Sequence, residues 1–235
     1  MGKTGMGKAG AGEAGMAGAG MAEAGMAGAV RHRGGYTYHS AEHSHAHAYL
    51  MPCVTGILSG RGAGLRIFDL GCGNGSVAHA LAGLGHEVAG VDPSKEGIAH
   101  ANAAYPELRL ERGDAYEPLA ERFGQFDAVV SLEVVEHLYA PRDYARTLAA
   151  LIRPGGFAIV STPYHGYLKN LALALSGKMD RHFTALWDHG HIKFWSIATL
   201  TTLLEEAGLR VAEVHRVGRI PALAKGMVLV AEKPA

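Results

Sequence analysis

The sequence predicts an α/β chain built on a mixed sheet of seven strands with helices on both faces. Three observations carry that expectation. Strand-like runs recur at 67–70, 86–92, 108–112, 126–132, 157–163, 210–217 and 226–231, each with glycine, proline or an acid at one end or the other. Segments of helical character alternate with them, at 76–82 and again at 197–207, where Gly208 ends the helix. The first run enters a glycine loop, Gly71-Cys72-Gly73-Asn74-Gly75, with Asp69 just ahead of it.

That loop narrows the choice of ligand. Glycine between a strand and a helix lets a ligand approach the backbone closely. A dinucleotide site needs a third glycine and seats a pyrophosphate on the helix N-terminus. Here Ser76 stands at the third glycine position, and Asp69 would repel a pyrophosphate. A ligand with cationic groups and no phosphate is attracted instead. S-adenosylmethionine, with its sulfonium and ammonium, meets both conditions.

The later strands extend the same site. The second ends at Asp92-Pro93, about 20 residues past the loop, where an acid accepts hydrogen bonds from ribose hydroxyls. The third ends at Gly113-Asp114-Ala115, which sets Asp114 and Ala115 beside adenine. With Ser131 and Leu132 at the end of the fourth, the expected cofactor set is Asp69, Gly71, Cys72, Gly73, Asn74, Gly75, Asp92, Pro93, Asp114, Ala115, Ser131 and Leu132. Arg153-Pro154-Gly155-Gly156 then turns the chain into the fifth strand. Over residues 45–235 this order of elements resembles the class I S-adenosylmethionine-dependent methyltransferases. The resemblance implies a Rossmann-like sheet, an antiparallel last strand, and a leading helix over the cofactor cleft.

Composition excludes several other classes. A formal net charge of zero gives no electrostatic footprint for nucleic acid. Cys53 and Cys72 have no metal or disulfide spacing, which fits free thiols in a reducing cytoplasm. No apolar run is long enough for a transmembrane helix. Residues 1–30 repeat glycine at every fifth position from Gly5 to Gly25, a period that matches neither helix nor strand. They read as a disordered tail, with the catalytic domain spanning 31–235. Within it, Ser44 is positioned to cap a helix over 44–58, read as a lid lined by Tyr36, Tyr38 and histidines rather than as a metal cluster.

Two features point to the chemistry. Residues 164–195 are longer than a simple connection requires, and such loops are usually functional. Tyr164, Phe183, Trp187 and Trp195 are the candidate acceptor contacts there, with Phe194 beside them. After the fourth strand come Glu133, Glu136 and His137, at i, i+3 and i+4, which share a face if helical. Oxygen and imidazole donors suit Mg2+, Mn2+, Fe2+ or Zn2+. The same acids would also stabilise a helix dipole with no metal at all.

Glu-x-x-Glu-His, followed by a histidine just before Lys193-Phe194, resembles two narrower groups. One is the ubiquinone-biosynthesis O-methyltransferase family, the other the small-RNA 3'-terminal 2'-O-methyltransferase family. The resemblance implies a divalent-metal site of Glu133, Glu136, His137 and His191, with His189 competing for the last place. A metal there favours O-methylation of a small hydroxylated aromatic or quinone-like acceptor, with His165 or His189 as proton acceptor. The alternative is metal-independent N-methylation of a secondary metabolite, in which His137 acts as base.

Overall fold

The computed structural model describes residues 46–183, 185–187 and 190–235, all within the compact unit Gly34–Ala235. The elements run α1 (His47–Ser59), β1 (Arg66–Leu70), α2 (Ser76–Gly83), β2 (Glu87–Asp92), α3 (Lys95–Ala104), β3 (Arg109–Arg112), α4 (Leu119–Phe123) and β4 (Phe126–Leu132). They continue with α5 (Pro141–Leu151), β5 (Ile152–Pro163), α6 (Tyr167–Leu175), α7 (Met179–Phe183), α8 (Ile197–Glu206), β6 (Arg210–Val217) and β7 (Gly226–Glu232). Short 3-10 turns lie at Val135–His137 and Pro221–Leu223.

The strands form one seven-stranded sheet in the order β3-β2-β1-β4-β5-β7-β6. The first five in that order pair in parallel, and β7 runs antiparallel between β5 and β6. Alternation along each strand supplies both faces with core residues. Ile67 packs with Leu50, Val54 and Leu58 of α1 and Val77 and Leu81 of α2. Its neighbour Phe68 packs on the other side with Phe123 of α4 and Tyr144 and Leu148 of α5. Phe68 also meets Phe123 and Phe126 with centroids 5.1 and 5.0 Å apart. Ala128, Val129 and Val130 of β4 alternate in the same way. Helices α1–α3 therefore cover one face, and α4, α5 and α8 the other. Burying each such large side chain contributes about 1.5–3 kcal/mol.

Several boundaries differ from the expected ones. The leading helix starts at His47 with Ala46 at its N-cap and no side-chain cap; Ser44, Tyr36, Tyr38 and the tail lie outside the described residues. Its stripe Leu50, Val54 and Leu58 is fully buried, so the helix is part of the core as well as a neighbour of the site. Arg153 to Gly156 forms a bulge within β5, because the register with β4 slips between Phe126 and Ala128. Helix α8 starts at a reciprocal cap between Ser196 and Thr199. Among the described residues no helix is long and apolar enough to cross a membrane.

Gly71 ends β1 at a φ of 90°, and a Cβ there would lie 2.4 Å from Val134 Cγ2. Gly71→Ala should lower the unfolding free energy by about 1–3 kcal/mol through backbone strain and that clash. Urea denaturation checks it; an unchanged midpoint would mean that the loop relaxes without cost.

Candidate active site

The glycine loop is held from beneath by β2. The N–H groups of Gly71 and Cys72 both donate to the Val91 carbonyl, at 2.9 and 3.0 Å. Asp92, at the end of β2, accepts from Gly73 N–H at 3.0 Å and Ser94 N–H at 2.8 Å. These bonds tie the loop to Asp92. Ser76 N–H donates to Asn74 Oδ1 at 3.3 Å and opens α2. Asp114 sits at the end of β3, where its Oδ1 accepts from Tyr116 N–H at 3.0 Å; Ala115 beside it is buried, and Pro93 is exposed. Cys72 is buried, and burial, Asp69 and Asp92 together push its thiol well above its ordinary value, which rules it out as a nucleophile.

Asp69 lies under this loop, 2% exposed, and its Oδ2 has no hydrogen-bond partner. Burial, and then the charge of Asp92, push its pKa up to about 7, against a hydrogen bond from the Ala78 backbone. Ser131 is corrected by the structure. Its fully buried hydroxyl donates to the Leu70 carbonyl at 2.8 Å, so its side chain ties β4 to β1 and is not free for a ligand.

The acceptor side starts where β4 ends. Glu133, Glu136 and His137 do not share an α-helix, contrary to expectation. Glu133 has a φ of 58°, the left-handed region, and Val135–His137 is a single 3-10 turn. Glu133 accepts from Ser161 Oγ at 2.8 Å. Glu136 is 1% exposed, and neither carboxylate oxygen has a well-formed hydrogen bond, although the Thr162 hydroxyl acts on it. Burial, with the Glu133 charge second, raises its pKa well above the ordinary carboxylate range.

His191 reaches Glu136 through the backbone. Ile192 and Lys193 N–H both donate to the Glu136 carbonyl, at 2.9 and 3.0 Å. That clamp leaves His191 Nε2 at 3.9 Å from Glu136 Oε1. Burial and the neighbouring His137 and His182 lower the His191 pKa to about 4, so the ring is neutral at physiological pH. His137 Nδ1 lies 3.2 Å from the Gly190 carbonyl, which can only accept. Nδ1 therefore carries a proton. Donor atoms of Glu136, His137 and His191 all lie within 4.8 Å of one another. Glu133 stands outside that trio, bonded to Ser161.

The insertion supplies the walls. His165 packs against Phe183, Phe194 and His182, with centroids 5.9, 5.1 and 5.5 Å away. Trp187 stands edge-on to His137 at 6.2 Å and also meets His191. Tyr164 is half-buried, and its carbonyl accepts from Lys169 Nζ at 2.7 Å. Trp195 is corrected: it is 8% exposed in the core and donates Nε1–H to the Val135 carbonyl at 3.3 Å. It anchors the loop that bears the site. His189 lies outside the described residues. Two residues were missed by motif reasoning. The phenol of Tyr49, on α1, is pushed up to about 12 by burial and by the charges of Glu133 and Glu136. Lys169, on α6, feels Glu133 as well.

Comparison with known proteins agrees with this geometry. A sequence family described as a methyltransferase domain matches residues 43–214. The chain belongs to the S-adenosylmethionine-dependent methyltransferase family. The ubiquinone biosynthesis O-methyltransferase of Caulobacter sp. (strain K31) is 44% identical over 118 residues, 48% of this chain and 46% of that protein. The protein of the same description from Aeromonas salmonicida (strain A449) is 33% identical over 162 residues, 67% of this chain and 68% of its own length. Against these two curated relatives, then, the chain spans 46% and 68% of their length. Among solved structures, magnesium protoporphyrin IX methyltransferase from Synechocystis PCC 6803 with bound SAH superposes with a TM-score of 0.61 at 20% identity, over 78% of this chain and 81% of that one. That likeness is one of fold.

The methyltransferase cleft fits its cofactor on physical grounds. A buried, unpartnered carboxylate oxygen on Asp69 attracts a cationic ligand, and positive φ at Gly71, Gly73 and Gly75 keeps side chains off the strand end. The trio of Glu136, His137 and His191 likewise offers a divalent cation an orphaned carboxylate and two imidazoles, of which His191 stays neutral.

The sign of the Asp69 shift gives a pH prediction. The folded chain holds this proton up to about pH 7, whereas the unfolded chain releases it near the ordinary 3.8. Without cofactor, stability should therefore fall as pH rises through that window, by as much as roughly 4 kcal/mol. Asp69→Asn should flatten this slope and stabilise the cofactor-free chain at pH 8, while weakening S-adenosylhomocysteine binding. Urea denaturation at pH 5 and pH 8 reads the first effect and calorimetry the second. An unaltered slope would place the shift elsewhere.

Proposed function

We propose that the chain transfers a methyl group from S-adenosylmethionine to a hydroxyl of a small hydroxylated aromatic or quinone-like acceptor, assisted by a divalent cation. The observation that carries this reading is Glu136: a fully buried carboxyl without a well-formed hydrogen bond, its oxygen within 4.8 Å of ring nitrogens of His137 and His191. An unpaired buried charge costs several kcal/mol. A cation at this point removes that cost, and the Gly71–Val134 contact sets the turn directly beside the cofactor loop. The relatives named for ubiquinone O-methylation support the acceptor class.

In this reading Glu136, His137 and His191 hold the cation, and Glu133 adds charge behind them. The bound cofactor supplies an electrophilic methyl on its sulfonium, and the cation lowers the pKa of an acceptor hydroxyl. The chain's own residues do the rest. Phe183 and Phe194, 4.8 Å apart, and Trp187 wall the acceptor and exclude water. His165 is neutral at physiological pH, its pKa lowered to about 4 by burial and by Lys169, His182 and His191, which makes it a weak proton acceptor that depends on the hydroxyl being acidified first. Residues 164–195 close over the acceptor, which leaves the in-line geometry to supply much of the rate. The net charge of zero favours a small acceptor over nucleic acid, and two free thiols favour a cytoplasmic setting.

Methyl transfer to a catechol, a monophenol and an aromatic amine tests the proposal by mass spectrometry of the products. The catechol should be methylated fastest, at oxygen. Glu136→Gln should lower kcat by about 100-fold or more, with S-adenosylhomocysteine affinity kept. Preference for the amine, with Glu136→Gln fully active, would favour N-methylation without metal.

A further inference from the structure

Trp195 joins the two halves of the acceptor side. Upstream of it, the Ile192 and Lys193 N–H groups hold the Glu136 carbonyl, and the Gly190 carbonyl lies 3.2 Å from His137 Nδ1. The Trp195 indole then donates Nε1–H to the Val135 carbonyl at 3.3 Å, across 60 positions of chain. The same residue's own carbonyl accepts from His165 N–H at 3.2 Å. Trp195 is thus bonded in two directions. Its side chain reaches the turn Val135–His137, and its backbone reaches the residue that stands just before the N-cap of α6. The ring is suited to aiming a carbonyl. It is 8% exposed and belongs to the core cluster that holds Val135, Tyr144, Leu200 and Met227. A close-packed indole has few positions open to it, its N–H can only donate, and a buried N–H is costly unless paired. A single 3-10 turn, by contrast, does little to hold its own shape.

We propose that Trp195 is a positioning residue that keys the turn bearing Glu136 and His137 to the segment bearing His165, so that the acceptor hydroxyl is held and deprotonated in one frame. This rests on the reading of Glu136, His137 and His191 as cation ligands and of His165 as proton acceptor. A tryptophan that only filled the core would act on stability and leave both bonded segments in place. Trp195→Phe separates the two roles, because phenylalanine keeps an aromatic ring in the core and lacks the N–H. The backbone bond to His165 survives that change, so the effect starts at the Val135 carbonyl and spreads to the Glu136 carbonyl beside it.

Amide hydrogen exchange on the full chain, saturated with S-adenosylhomocysteine, tests this in wild type, in Trp195→Phe, and in a chain where 3-benzothienylalanine replaces Trp195. That isostere keeps the shape of the indole and deletes only the donor, so it reads the bond even if Trp195→Phe folds poorly. In both variants exchange at the Ile192 and Lys193 amides should quicken by about 10-fold or more, while Val129 and Ile159 in the central strands keep their rates. Mn2+ affinity should fall by about 10-fold and kcat on the catechol by about 10–100-fold, with S-adenosylhomocysteine affinity within about two-fold of wild type. Unchanged exchange at Ile192 and Lys193 in the isosteric chain, or equal quickening there and in the sheet, overturns the proposal. Loosened amides with wild-type Mn2+ affinity and wild-type kcat overturn it as well. If the wild type binds no Mn2+, the cation reading fails, and the exchange rates alone still decide whether Trp195 holds the turn.

Discussion

The site depends on carboxylates buried without protein cations at the carboxyl ends of β1 and β4. Elsewhere in the described residues the acids behave conventionally: Glu213 and Glu232 pair with Arg61, Asp127 with Arg153, and Glu206 with Arg142. Asp69 and Glu136 have no such partner and are almost wholly out of water. Charges in that condition are expensive unless something supplies the opposite sign. For Asp69 the complement is a sulfonium- and ammonium-bearing cofactor. For Glu136 the proposed complement is a divalent cation. The fold tolerates both acids because the rest of the sheet is well packed and burial favours their protonated forms.

Topology places these acids at the same end of the sheet. The strand order reverses between β1 and β4, so the connections after them leave in opposite directions. The connection after β1 runs to α2 on one face. The chain after β4 makes a single turn and leads to α5 on the other. The crevice between them takes Asp69 from one strand and Glu133 and Glu136 from just past the other. Contact of Gly71 with Val134 closes its floor. The remaining donor comes from far along the chain, because the paired bonds of Ile192 and Lys193 to the Glu136 carbonyl fix His191 beside it.

Much of this was legible in the sequence, and the misses have physical causes. Seven strands and the glycine loop were readable because apolar runs end in residues with special backbone demands. Helices α3, α4, α5 and α7 emerge only in the structure; α4 and α7 have five residues each, too few for a period to show. Glu133 to His137 has helical spacing, but Glu133 adopts a left-handed φ that no pattern announces. The convergence survives because a 3-10 turn also brings neighbouring residues to one side. Ser131 and Trp195 look like ligand contacts by position, yet their polar atoms are taken by the Leu70 and Val135 carbonyls. Tyr49 and Lys169 carry no motif, since they reach the acids only through the packing of α1 and α6.

The most direct measurement is calorimetric titration of Mn2+ into the full chain, stripped of metal and saturated with S-adenosylhomocysteine, beside the Glu136→Gln variant. The account predicts one cation bound per chain in the first and its loss in the second, with cofactor affinity equal in both. Equal cation binding by the two proteins, or none by either, would contradict it.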